Sequence, residues 1–213
     1  MFLSTSRICG LAVTALTLTA LPGHAANPSF DCANASSSAE KMICGDDQLA
    51  AFDVELARLY GLARDDAGLS DEKSDTLVAG QRDWISERDA CAKAADERAC
   101  IEDAYVSRIA TLRVDYPATR ASDNKGISLG PFDTECKGLG APATLTFINS
   151  DPAVAYLTWS DQALLLTQGR SGSGARYVAE TKEGEIVFWN KGNQATFQRP
   201  GEDELTCTIA KRK

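Results

Sequence analysis

Apolar residues along this chain keep two different periods. In the first half they recur at helical spacing: Leu49, Phe52, Leu56, Leu59 and Leu62 share one face of a helix expected over about Asp47 to Asp66. Leu77, Gln81, Trp84, Ile85 and Arg88 mark another over about Asp71 to Ala94, and Ile101, Tyr105, Ile109 and Leu112 a last one over about Glu97 to Leu112. Ahead of these, Ser37 and Glu40 form a capping-box pattern that opens a short helix ending near Cys44-Gly45. Such stripes are core, and Trp84 is most simply a core anchor. Beyond Cys136 the period becomes alternating. Short apolar runs fall at Thr144 to Ile148, Val154 to Trp159, Ala163 to Thr167, Tyr177 to Glu180, Ile186 to Trp189, Ala195 to Gln198 and Leu205 to Ile209, with a weaker one before Cys136. Turn chemistry separates them, as in Asn149-Ser150-Asp151-Pro152, Ser160-Asp161 and Lys182-Glu183-Gly184. Seven or eight short strands at this spacing predict a small antiparallel barrel or sandwich.

Charge follows the same division. Residues 27–113 carry 10 Lys/Arg against 18 Asp/Glu, a net of -8, whereas residues 125–213 carry 10 of each. Between them Val114 to Asn124, with Pro117 and small polar residues, has linker composition. The expected organisation is a signal peptide over 1–25, a helical domain over 27–113, a linker over 114–127 and a β-domain over 128–213. The fold class is α+β as two separate domains, each small enough for disulfide staples to matter.

The first 25 residues set the compartment. Arg7, an apolar run from Ile8 to Leu21 and the small-residue end Gly23-His24-Ala25-Ala26, without any acid, read as a cleaved secretory signal. Cys9 lies before the apolar run, so it does not read as a lipid-anchor cysteine, and no later segment has the roughly 20 apolar residues of a membrane span. A periplasmic or secreted chain is expected. Cleavage removes Cys9 and leaves Cys32, Cys44, Cys91, Cys100, Cys136 and Cys207, an even set that in an oxidising space argues for disulfides rather than metal ligation. The four in the helical half allow three pairings. Cys32 with Cys44 and Cys91 with Cys100 closes the shortest loops, and the alternatives tie the first helix to the later ones. If each domain keeps its own cysteines, Cys136 pairs with Cys207. Cleavage also removes His24, the one histidine, and with it Ser-His, Cys-His and histidine-metal chemistry.

The densest candidate chemistry is Ser171-Gly172-Ser173-Gly174-Ala175-Arg176-Tyr177, followed by Phe188-Trp189-Asn190-Lys191-Gly192 and Cys207. It reads as a stapled β-scaffold that displays small, polar and cationic groups on a loop, suited to filling a cleft. A Ser173-Lys191 catalytic dyad would need a buried lysine of lowered pKa, and a hairpin tip offers none. No enzyme, cofactor or metal is expected, the acidic balance disfavours nucleic acid, and nothing sets an oligomeric state. Trp189 and Phe188 point to opposite faces of one strand, so at least one is core.

Two resemblances bear on function. Phe30-Asp31-Cys32, Glu40 through Cys44, Leu49 through Asp53, Gln81-Arg82-Asp83-Trp84, Glu87 through Cys91, Cys100-Ile101 and Tyr105 through Ile109 resemble the LprI-type helical domain of secreted bacterial proteins, whose namesake is described as inhibiting lysozyme. The β-half resembles the C-type lysozyme inhibitor family, the MliC and PliC kinds. The resemblance rests on Cys136, Leu164 through Gly169, the Ser-x-Ser-Gly-Ala-Arg-Tyr and Phe-Trp-x-Lys-Gly motifs, and Cys207. It implies an eight-stranded barrel whose serine loop enters the lysozyme active site. Ser173 and Lys191 would be the principal contacts, with Gly172, Gly174, Arg176 and Tyr177 alongside. Such a cleft presents a protonated glutamic acid and an ionised aspartate, to which a serine hydroxyl both donates and accepts. Tyr177 suits a packing role that orients the loop, and Arg176 could pair with the partner's acids or with its own surface. The Glu180 to Glu185 hairpin is longer than the family's, which puts the convergence of Ser173 and Lys191 in question. The resemblance names a C-type lysozyme, a cationic protein, as the partner, and the acidic helical half would then steer the encounter. The alternative is a non-enzymatic cell-envelope or glycan-binding module.

Overall fold

The computed structural model describes residues 27–212; the expected signal peptide, with Arg7, Cys9 and His24, lies outside the described residues. A 3-10 turn at Cys32–Asn34 leads into helices α1 (Ser38–Gly45), α2 (Asp47–Arg64), α3 (Asp71–Ala90) and α4 (Glu97–Asp115). Each helix begins where a side-chain oxygen takes up orphan N–H groups. Ser37 and Glu40 close the capping box on α1, Asp46 accepts from Gln48 and Leu49 to start α2, and Ser70 and Asp96 cap α3 and α4. The third helix stops at Ala90 because Cys91–Lys93 tightens into a 3-10 turn, and the fourth runs on to Asp115. Disulfides join Cys32 to Cys44 and Cys91 to Cys100, stapling the entry segment to α1 and the turn after α3 to the first turn of α4. The stripes meet in a core of Leu49, Phe52, Leu59, Leu77, Ile101, Ile109 and Leu112. Trp84 anchors it, with its ring edge on Tyr105 at 5.1 Å and its indole N–H donating to the Ala104 carbonyl at 2.8 Å.

The second half is a closed meander barrel: β1 (Ser128–Cys136), β2 (Ala143–Ile148), β3 (Val154–Trp159), β4 (Gln162–Gly169), β5 (Ala175–Thr181), β6 (Gly184–Lys191), β7 (Gln194–Gln198) and β8 (Leu205–Lys211). Every strand pairs antiparallel with the next and β8 returns to β1, so no sheet edge is left open. Leu145, Leu157, Leu166, Tyr177, Phe188 and Phe197 fill the interior. Cys136 and Cys207 are directly opposite across the β1–β8 seam and bonded to each other.

The two parts share an interface. The helical core continues into Ile148, Val154 and Tyr156, with Leu165 packed against it. These project from the outer face of β2, β3 and β4, while their chain neighbours Leu157 and Leu166 point into the barrel. Burying three such apolar side chains is worth about 1.5–3 kcal/mol each. Polar groups lock the orientation. Glu55, 2% exposed, accepts from the Ser128 hydroxyl and from the Ser128 and Ile127 N–H groups, and pairs with Arg58 at 2.7 Å. Arg113, fully buried, donates to the Gly130 carbonyl and the Ser128 hydroxyl and pairs with Asp123. Gln48 donates to the Pro152 carbonyl at 2.8 Å. The segment read as a linker holds the end of α4 and two 3-10 turns, Pro117–Arg120 and Asp123–Lys125.

Candidate functional site

One end of the barrel carries the connection between β4 and β5, residues 170–174, and the turn between β6 and β7, residues 192–193. Both flank the β5–β6 ladder, in which Ala175 faces Asn190, so the next step of the register sets Gly174 beside Lys191. The ladder runs unbroken to Thr181 opposite Gly184. The acidic hairpin therefore adds its length at the far end, around Lys182 and Glu183, and Ser173 and Lys191 remain on the same end of the barrel.

The loop is held by a small set of contacts. The Ser171 hydroxyl donates to the Ser173 carbonyl at 2.7 Å, and the Trp189 indole N–H donates to that same carbonyl at 2.9 Å. Gly174 has φ +66°, and a Cβ there would collide with the Asn190 carbonyl, so both backbone conformation and space require glycine. At Gly172 a Cβ would meet nothing within 4 Å. Ser173 and Lys191 are exposed, and Lys191 makes no ion pair among the described residues.

The other motif residues divide by face. Arg176 lies on the outer face paired with Glu185, its own domain's surface. Tyr177, which the motif sets beside the contacts and which suits a packing role, is a core residue: it is 5% exposed and packs on Phe147 with ring centroids 5.4 Å apart. Alternation along β5 puts it inside, and burial pushes its phenol pKa up. Phe188 is the core member of its pair, leaving Trp189 outside to brace the loop. Two groups escaped sequence reasoning. Arg170, exposed at the loop's first position, adds a second cation to this end; its adjacency to the Ser-Gly run was the available signal. The bracing role of Trp189 depends on a register that sequence spacing alone does not fix.

The helical signature residues bind one another. Asp53 accepts from the Ser29 N–H at 2.6 Å and from the Tyr105 hydroxyl at 2.9 Å. Arg88 stacks over Trp84 at 5.4 Å and pairs with Asp89. Burial, reinforced by the Asp53 charge, drives the Tyr105 pKa far up, so its hydroxyl stays a donor. These residues hold the helices together.

Comparison with known proteins accounts for both halves. Residues 32–115 match the family described as "Lysozyme inhibitor LprI", and residues 135–206 match the family described as "Membrane-bound lysozyme-inhibitor of c-type lysozyme". A stapled helical unit docked on a loop-bearing barrel thus defines a two-part chain of the lysozyme-inhibitor class. Among full-length relatives, the lipoprotein LprI of Mycobacterium tuberculosis and that of Mycobacterium bovis are each 34% identical over 193 residues, covering 86% of this chain and 89% of theirs. The chain belongs to the LprI family. The membrane-bound lysozyme inhibitor of C-type lysozyme from Escherichia coli is 40% identical over 58 residues, 27% of this chain and 49% of that protein. No solved structure matches.

Proposed function

We propose that this protein is an extracytoplasmic inhibitor of C-type lysozyme that inserts the 170–174 loop into the enzyme's cleft and occupies its catalytic carboxylates. The observation that carries the reading is the juxtaposition of an exposed, braced Ser173 loop with the unpaired cation of Lys191 on one barrel end. Ser173 would donate to one carboxyl and accept from the other. Lys191, joined by Arg170, would supply charge that water no longer provides once the cleft is sealed. Gly172 would allow close backbone approach. Arg176 is engaged by Glu185 and Tyr177 is internal, so both would act by shaping the loop. The descriptions of both matched families and of the Escherichia coli relative as lysozyme inhibitors support lysozyme as the target. Among the described residues no helix is long and apolar enough to cross a membrane, and three disulfides fit an oxidising compartment. The test is titration of a C-type lysozyme with the mature protein, following lysis of bacterial cells. Undiminished lysis at saturating protein would overturn the reading.

A further inference from the structure

A second cluster of cations lies on the same end of the barrel as the loop, where the helical half meets the β1–β8 seam. The strand β8 ends at Lys211 opposite Phe132, so beyond a last backbone bond from Arg212 to Pro131 the start of β1 has a gap on its β8 side. There β1 also carries a bulge against β2 between Leu129 and Phe132, with Gly130 at φ +113°. The gap is a cleft of about 270 Å³ lined by Arg120, Asp123, Lys211 and Arg212 around Leu129, Pro131 and Phe132. Only docking of the two halves creates it, because Arg120 and Asp123 come from the 3-10 turns that follow α4.

Its charge is not balanced. Arg113, directly behind the cleft, pairs with Asp123, and Arg212 pairs with Asp133 at 2.7 Å while also donating to the Thr144 hydroxyl. Among the described residues the Arg120 side chain donates only to the Arg113 carbonyl, at 2.6 Å, and the exposed Lys211 ammonium makes no hydrogen bond or ion pair. Among the described residues four cations face two carboxylates, a local surplus of two in a chain of net charge -8. Burial first, and then the neighbouring charges of Arg113 and Arg212, press the Arg120 pKa down against the opposing pull of Asp123.

We propose that this cleft binds an organic phosphate, with its oxygens on Arg120, Lys211 and Arg212 and its apolar part over Leu129, Pro131 and Phe132. Guanidinium forks match phosphate oxygens in pairs. The volume falls just under the roughly 300 Å³ at which drug-sized pockets begin, a space suited to one headgroup. The same chemistry is offered by a soluble phosphate ester and by an anionic phospholipid at a membrane surface.

The mature protein would be titrated with phenyl phosphate by calorimetry, and separately sedimented with vesicles of phosphatidylglycerol in phosphatidylcholine and of phosphatidylcholine alone. Saturable 1:1 binding of phenyl phosphate is expected, weakened at least tenfold in Arg120→Gln/Lys211→Gln and unchanged in Lys182→Gln at the opposite barrel end. Co-sedimentation with the anionic vesicles only, lost in the same double variant, assigns the lipid headgroup as source; its absence alongside phenyl phosphate binding assigns a soluble ester. No saturable binding in either arm, or equal binding by the double variant, overturns the proposal. Should the double variant fail to fold, Lys211→Gln, which removes no internal contact, carries the test with an expected loss of at least threefold. No arm depends on lysozyme, so the outcome is separate from that reading.

Discussion

The indole N–H of Trp189 and the backbone carbonyl of Ser173 are joined at 2.9 Å, so an aromatic side chain on β6 holds the middle of the exposed loop that precedes β5. The bond crosses between two strands whose own pairing is continuous, which makes the loop an extension of the ladder.

Trp189→Phe keeps the ring on the outer face and deletes the donor. A neutral hydrogen bond contributes about 0.5–1.5 kcal/mol, so lysozyme inhibition should weaken by about two- to twelvefold, with a melting temperature near that of the parent. Inhibition titration alongside thermal unfolding checks this. An unchanged inhibition curve would show that Trp189 plays no part in inhibition.

Lys191→Ala should weaken inhibition at least as much as Ser173→Ala. Truncating one partner of a desolvated charge pair costs about 2–5 kcal/mol, whereas a hydrogen bond to a charged group contributes about 1.5–3 kcal/mol. Both side chains are exposed in the free protein, so neither change should alter its stability. If Lys191→Ala inhibits like the parent, Lys191 has no role in the cleft.

The two loop glycines should respond differently. Gly174→Ala meets the Asn190 carbonyl and a positive φ, a conformation costing an L-residue about 1–2 kcal/mol. Gly172→Ala meets nothing within the protein. The first should therefore lower the melting temperature together with inhibition, and the second should impair inhibition alone. Equal melting temperatures for the two variants would contradict the loop geometry.

Acid should loosen the interface through Glu55. Burial alone would raise its pKa, but hydrogen bonds from Arg58 and Ser128 outweigh that and hold it below the ordinary 4.5. A group whose pKa is lower folded than unfolded stabilises above the unfolded value and loses that contribution as pH falls through the folded one. Glu55→Gln should cost about 1.5–3 kcal/mol at pH 7. Its deficit against the parent should shrink below pH 4.5. Urea unfolding from pH 7 to pH 3 reads this out, and a pH-independent deficit would show that Glu55 is not the titrating group.

Electrostatic steering by the helical half calls for charge changes, since deleting residues 27–113 would bare Ile148, Val154 and Tyr156 and strip Ser128 of its partners. Asp75→Asn, Asp83→Asn and Glu87→Gln remove three exposed negative charges from α3. Association with lysozyme, followed by stopped flow, should slow at low ionic strength and converge with the parent near 1 M salt, where the Debye length falls to about 3 Å. Equal rates at low salt would dispose of steering.

Most of the scaffold was legible because each half repeats one period with ordinary stop signals. Ser37, Asp46, Ser70 and Asp96 begin helices by local chemistry, and Leu145, Leu157 and Leu166 alternate inward as a one-sided strand requires. The interface was harder to read. Val154 through Leu157 is buried at every position, and Leu165 interrupts the alternation of Leu164 and Leu166, because the helices cover the outer face of these strands. An unbroken apolar run carries that information without naming its cover. Glu55 and Ser128 lie 73 residues apart, and no local pattern joins them. At the loop, the motif identified Ser173 and Lys191, but the inward direction of Tyr177 and the pairing of Arg176 with Glu185 follow from strand parity and register.

The β5–β6 hairpin turns over at Lys182 and Glu183, as far along the ladder as it can be from Ser173 and Lys191. Side chains on a strand alternate with a period of two, so a single residue inserted into one arm would reverse every outward position beyond it, whereas a matched pair, one in each arm, would lengthen the hairpin and leave both ends facing as before. Length variation among relatives should therefore collect at this turn and come in even numbers, making it the place where the barrel tolerates new sequence without disturbing its working end.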